Sequence, residues 1–272
     1  MQEATDRIQF LARLGAAMAS ASYPVTFVRQ TLERVSAGYG QHNEVVALPN
    51  NVQVVGPTFR EGTPVASASV GSALRFDQTF PLAQLVTQAI EGRVSPADGQ
   101  RDLNRIIARR RPYPAWVTVI GYGVFSAGLA LVMEPTVLNL MAATVLGLMV
   151  GVMWTVTERV PVLAPVTPVL AAVLVAGLCI VGAQYLSLDH VGLRALIPPL
   201  AVFLPGLAIT VSVIELAAGD VISGASRLVA GFMQLAQLTF GIFIASHMLG
   251  FDDAQLTSQA VNKLGPWAPW LG

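Results

Sequence analysis

PYPAWVTVIGYGVFSAGLALVMEPTVLNLMAATVLGLMVGVMWTVT, residues 112–157, holds a single charged side chain, Glu134, in an otherwise apolar and small-residue text. On each side of Glu134 the run is long enough to cross about 30 Å of hydrocarbon at about 1.5 Å per helical residue. Three further runs, residues 160–188, 195–214 and 228–251, also lack Asp, Glu, Lys and Arg. A chain in lipid must satisfy its own backbone hydrogen bonds, and segments of this length do so only as helices. Buried helices of a soluble protein give one such run readily, but not five in succession. The sequence therefore predicts a membrane all-α five-helix bundle over residues 112–251.

The whole composition agrees. Of 272 residues, 54% are apolar and 12% charged, with a mean hydropathy of +0.61, whereas soluble domains carry about 25% charged residues. Most of the charge lies before Arg111, so the chain has two parts: a cytoplasmic α+β domain at residues 1–111 and the membrane part, followed by an extracytoplasmic tail at 252–272. Formal net charge is zero, and nothing points to nucleic acid. Cys179 is the only cysteine, which excludes an internal disulfide and a cysteine-based metal cluster.

Orientation follows from the cations, which resist translocation. With the N-terminus inside, Arg101, Arg105, Arg109, Arg110, Arg111, Arg159 and Arg227 all face the cytoplasm, while Arg194 and Lys263 lie outside. The expectation is a multi-pass protein of the inner (plasma) membrane with its N-terminus in and its C-terminus out. With an odd number of spans, a second five-span unit joined behind this one would enter inverted, the plan of inverted-repeat transporters. The ending GPWAPWLG, with Trp267 and Trp270, reads as the approach to a further span. A second five-span half, as a separate subunit or a missing C-terminal part, or a homo-oligomer, is thus an expected partner, besides the lipid bilayer and a small-molecule substrate.

The fourth run is the least regular: Pro198, Pro199, Pro205 and Gly206 precede Thr210, Ser212 and Glu215. Proline removes a backbone donor and clashes with the preceding turn, so Pro205 and Gly206 should break the helix. Freed backbone groups at that depth need protein or a wet cavity around them, though a purely structural kink gives the same pattern. In the fifth run Arg227, Gln234 and Gln237 share a face with Gly231 and Gly241, and this side should meet the fourth span. Glu215, Asp220 and Arg227 lie near the cytoplasmic boundary, as a gate, a substrate contact or a solvated loop. The candidate substrate-binding or gating set is Pro205, Gly206, Thr210, Glu215, Arg227, Gln234 and Gln237. Gly147 and Gly151 are assigned to helix packing.

In the N-terminal part, Ile8, Leu11, Leu14 and Met18 recur at helical spacing, with Arg13 inside the stretch, which reads as an amphipathic helix rather than a signal peptide. Val25, Val28, Leu32 and Val35 mark a second helix ending at Gly38 and Gly40. Residues 44–48 and 52–55 read as strands about a turn at Pro49, Asn50 and Asn51. Weak strands at 64–70 and 73–76 follow a turn at Glu61 and Gly62. A third helix is expected from about Pro81 to Glu91, and a fourth opens on the cap Ser95-Pro96-Ala97-Asp98. No nucleophile elbow, zinc spacing or phosphate loop occurs, and no catalytic residue, metal site or cofactor is assigned. His42 beside Glu44, with Asp77 elsewhere, is the nearest approach to a catalytic group.

This order of features resembles the threonine/serine exporter family. The likeness is carried by LARLGAAMASASYPVTFVRQTLERVSAGYG, by the hairpin VVALPNNVQVV, by EGRVSPADGQRDLNRI, and most specifically by FLPGLAITVSVIELAAGDVISGASRLVAG. It implies a secondary transporter, not an enzyme, exporting threonine and serine from the cytoplasm on the proton motive force. A split relative is associated with succinate, so a dicarboxylate exporter subunit is the alternative, and a membrane-tethered hydrolase acting through the soluble domain is another.

Overall fold

The computed structural model describes residues 2–56, 64–133, 136–185 and 195–250. The turn expected at Glu61 and Gly62, the charges Arg194 and Lys263, and the tail with Trp267 and Trp270 lie outside the described residues. The chain divides into two compact units: Met1–Pro112 with Gly206–Gly231, and Tyr113–Pro205 with Phe232–Gly272.

In the first unit, α1 (Gln2–Ser20) and α2 (Val25–Gly38) lead into a three-stranded antiparallel sheet of β1 (Glu44–Ala47), β2 (Asn51–Val55) and β3 (Val65–Ser69), in the order β1-β2-β3. The register pairs Val45 with Val54 and Val52 with Ala68. Because side chains alternate along a strand, Val45, Val52 and Val54 all reach one buried face. Against it packs the apolar stripe of α1: Ile8, Leu11, Leu14 and Met18 are buried as their spacing predicts. Gly15 permits this approach, since a Cβ there would stand 2.6 Å from Leu32 Cδ1 and 2.9 Å from Val52 Cγ1. The Ser95 cap of α4 (Pro96–Ile107) is in place, its hydroxyl accepting from Asp98 N–H at 3.1 Å.

The start of α3 differs from expectation. Residues 73–76 form no strand, and the helix begins at Phe76, running to Ile90 with Pro81 inside it. Gln78 accounts for the early start: its Oε1 accepts from Arg75 N–H at 3.0 Å, and its Nε2 donates to the carbonyls of Ile106 and Ile107 at the end of α4. Proline at 81 cannot donate to the carbonyl four residues back. That carbonyl, on Asp77, accepts instead from Arg109 Nη1 at 3.2 Å. The same unit holds α9 (Gly206–Ala217) and the opening turns of α10 (Val221–Met248).

The second unit is helical: α5 (Ala115–Met133), α6 (Val137–Arg159), a 3-10 turn (Pro161–Val166), α7 (Thr167–Tyr185), the short α8 (Ile197–Leu200) with a 3-10 turn (Ala201–Phe203), and the rest of α10. Its outward surface is apolar, with Val124, Phe125, Met141, Val145, Phe240 and Phe243 exposed. Such contiguous apolar exposure suits lipid and not water. Small residues set the helix contacts, as expected for Gly147 and Gly151. A Cβ on Gly147 would lie 2.5 Å from Ser126 Cβ, and one on Gly151 2.9 Å from Val119 Cα. Ser126 Oγ seals the seam by donating to Ala143 O at 2.7 Å.

Among the described residues, four helices have the length and hydropathy to cross a membrane, and a fifth span results if the broken pair of α8 with its 3-10 turn and α9 counts as one. The break falls where Pro205 and Gly206 predict it. Leu204 is extended (φ −68°, ψ 126°), and α9 restarts at Gly206.

Candidate functional site

The α9–α10 hairpin of the first unit is tight. Gly219 takes the left-handed conformation (φ +86°), and Asp220 N–H returns to Glu215 O at 2.9 Å. Gly224 lets the two helices close: a Cβ there would meet Ser212 O at 2.8 Å and Leu216 N at 2.9 Å. Because α10 begins at Val221, before the uncharged run, Arg227 lies within its second turn and faces back to α9.

Glu215 is fully buried. Its Oε1 accepts from Val25 N–H at 3.0 Å, the first amide of α2. The opening amides of a helix lack intrahelical partners, and Pro24 at the cap position offers no side-chain acceptor. A carboxylate from α9 therefore does the capping, where the helix dipole also favours negative charge. One turn on, Asp220 Oδ2 accepts from Thr26 Oγ1 at 2.6 Å, and its Oδ1 pairs with Arg29 Nη1 at 3.3 Å. Two acids of the hairpin thus hold the first turn of α2.

The second oxygen of Glu215 stands 3.2 Å from Arg227 Nε, with the Arg227 side chain only 16% exposed. The pair is close but not aligned as a hydrogen bond: Glu215 Oε2, Arg227 Nε and Arg227 Nη2 are all buried without a hydrogen-bond partner among the described residues. Buried polar groups are normally matched, and each unmatched one costs about 1–3 kcal/mol. The centre thus holds an acceptor and two donors that no hydrogen bond among the described residues satisfies.

Of the other expected residues, Gly206 and Thr210 are exposed on α9. Pro205, Gln234 and Gln237 belong to the second unit. There Gln234 Nε2 donates to Phe203 O at 2.7 Å, a carbonyl just before the break, and Gln237 is half-buried. Gly241, expected to face the fourth span, packs instead on α7, where a Cβ would meet Ala172 Cβ at 2.6 Å. Asp77 is committed elsewhere: both its oxygens accept from Arg75, and that hydrogen bond holds its carboxyl below the usual range. Among the described residues no group of three or more His, Cys, Asp or Glu side chains could hold a metal. Thr26 and Arg29 stand outside the expected set; their spacing of about one helical turn, following Pro24, is the only sequence sign of a shared face.

Residues 9–249 match the family described as "Putative threonine/serine exporter" (ThrE). The Pheromone-regulated membrane protein 10 of Eremothecium gossypii is 23% identical over 268 residues, covering 96% of this chain and 36% of that protein. Its namesake in Kluyveromyces lactis is 24% identical over 185 residues, covering 66% of this chain and 19% of that protein. The chain therefore spans about a third or less of the curated relatives it matches. No solved structure matches. Since the family match runs from within α1 to the end of α10 and takes in both Glu215 and Arg227, this chain belongs to the threonine/serine exporter family.

Proposed function

We propose that the chain is one half of a secondary transporter that exports small amino acids of the threonine and serine type from the cytoplasm, driven by the proton motive force. A second five-span half, as a separate subunit, a further C-terminal part or another copy, completes the pathway. The observation that carries this reading is the buried Glu215–Arg227 pair with unfilled hydrogen-bonding capacity. An amino-acid zwitterion matches it: the ammonium supplies donors to Glu215 Oε2, and the carboxylate supplies acceptors to Arg227 Nε and Nη2. A dicarboxylate would satisfy Arg227 but meet Glu215 with like charge. This asymmetry favours the amino acid over the succinate-type alternative. With Asp77 held by Arg75, the hydrolase reading gains no support.

A five-span count, N-terminus inside, fits the same reading. If α5, α6 and α7 each cross once, α7 ends on the far side from the N-terminal residues. Yet Glu215 and Asp220, at the end of α9, touch α2. The broken pair must then return across the bilayer.

Counterflow of labelled threonine and serine in proteoliposomes, with the second half supplied, tests the assignment. Exchange of either substrate is expected, falling at least about tenfold in Glu215→Gln and in Arg227→Gln, the scale of one lost charge-assisted contact. Exchange of succinate in place of both amino acids would overturn it.

A further inference from the structure

The first unit carries an apolar and basic corner that neither its core nor the Glu215 centre uses. Phe76 is 94% exposed and Phe80 69%, one helical turn apart on α3, and Ile107 at the end of α4 is 46% exposed. Exposed phenylalanines in i, i+4 register form a stripe, not scattered surface residues. Arg109 is bonded to the start of α3. Arg105, paired with Asp102 at 2.7 Å, and Arg110 flank Ile107 in the chain, and between residues 98 and 111 five arginines stand against two aspartates. The corner is held firmly: Arg75 Nη2 donates to Arg109 O at 2.9 Å, Arg109 returns to Asp77 O, and Gln78 binds the last carbonyls of α4. A groove of about 390 Å³ runs between α3 and α4 beside it, lined in part by Gln84, Gln88, Asp102, Arg105 and Arg109.

Two observations say what faces this corner. First, α4 ends at Ile107 and the first apolar helix starts at Ala115. The residues between reach about 25–30 Å at most when fully extended, which bounds how far the end of α4 can stand from the first apolar helix. Second, Leu74 N–H donates to Ser20 O at 2.9 Å, which sets the start of α3 against the α1–α2 corner. That corner leads into the turn of α2 held by Glu215 and Asp220. The start of α3, the end of α4 and the α9–α10 turn therefore share one end of the unit. Aromatic side chains with flanking arginines fit the interfacial region of an anionic leaflet, where rings sit at headgroup depth and cations meet lipid phosphates.

We propose that Phe76, Phe80 and Ile107, with Arg105, Arg109 and Arg110, form a membrane-docking face that seats the N-terminal unit on an anionic lipid surface. The groove between α3 and α4 receives a lipid headgroup phosphate. This face is independent of the transport assignment.

The test places a nitroxide at Phe76→Cys, and separately at Phe80→Cys, in the full chain carrying Cys179→Ser, reconstituted in nanodiscs with or without phosphatidylglycerol. Depth is read as the ratio of collisions with oxygen to collisions with a nickel chelate. With phosphatidylglycerol the ratio should be several-fold higher at both positions than at Gln41→Cys, beyond the other end of α2. Phosphatidylcholine alone, or Arg105→Gln with Arg110→Gln, should lower it. Arg109 is left intact in that variant because it also caps α3. A ratio at 76 and 80 equal to that at 41 in every lipid overturns the proposal. Dipolar broadening between labels overturns it too, because the occupant would then be a second copy.

Discussion

Glu215 and Arg227 are expensive residues to keep where they are. A carboxylate with no solvent contact and a guanidinium with little must recover several kcal/mol of desolvation each, and their mutual attraction does so only with good geometry. Here the geometry is incomplete, since three of their polar atoms lack hydrogen-bond partners among the described residues. Removing one member alone leaves the other charge buried, so Glu215→Ala and Arg227→Ala should each destabilise by about 3–5 kcal/mol. The double variant should cost clearly less than the sum of the two, read as a cycle of unfolding transitions in detergent. Strict additivity would mean the two charges do not feel each other. Both residues were legible in the sequence because they interrupt or border apolar runs. The depth of Glu215 was not, since nothing local distinguishes a buried acid from one in a solvated loop; its hydrogen-bond partner is the first amide of α2, 190 residues earlier in the chain.

At the scale of the element, helices are legible where the causes are local. The stripe of α1, the Ser95-Pro96 cap and the break at Pro205 all appear as expected. The start of α3 falls earlier than the sequence implies because Pro81 looks like a first-turn residue, and the donor that substitutes for its missing N–H comes from Arg109. In the natural sequence Arg109→Ala should cost about 0.5–1.5 kcal/mol, the net value of one such hydrogen bond. With Pro81→Ala in place, residue 81 supplies its own N–H to Asp77 O, and the cost of losing Arg109 should shrink toward zero. Chemical or thermal unfolding of the four variants gives the coupling. An unchanged cost in the Pro81→Ala background would separate Arg109 from the proline.

The whole molecule divides its chain unexpectedly, because Gly206–Gly231 groups with the N-terminal residues rather than with the other apolar helices. Hydropathy draws a boundary where charge stops, but Glu215, Asp220 and Arg227 tie this hairpin to α2 by polar contacts that no hydropathy window reports. Those contacts bear on span number. Were the broken pair only re-entrant, α10 would start on the far side of the membrane from α2, and Thr26 could not reach Asp220. Five crossings therefore predict that Gln41 and Val162 lie on one side and Met133 on the other, with α10 ending on the side of Met133. Single cysteines at positions 41, 162, 133 and 248, in a Cys179→Ser background, should react with a membrane-impermeant maleimide in that pattern: 133 and 248 in intact cells, 41 and 162 only after permeabilisation. Val162 and Met248 are 85% and 77% exposed, so the side of the membrane and not burial should decide their labelling. Labelling of 248 together with 41 would reduce the count to four, and the ties from α2 to the hairpin would have to be broken in the membrane.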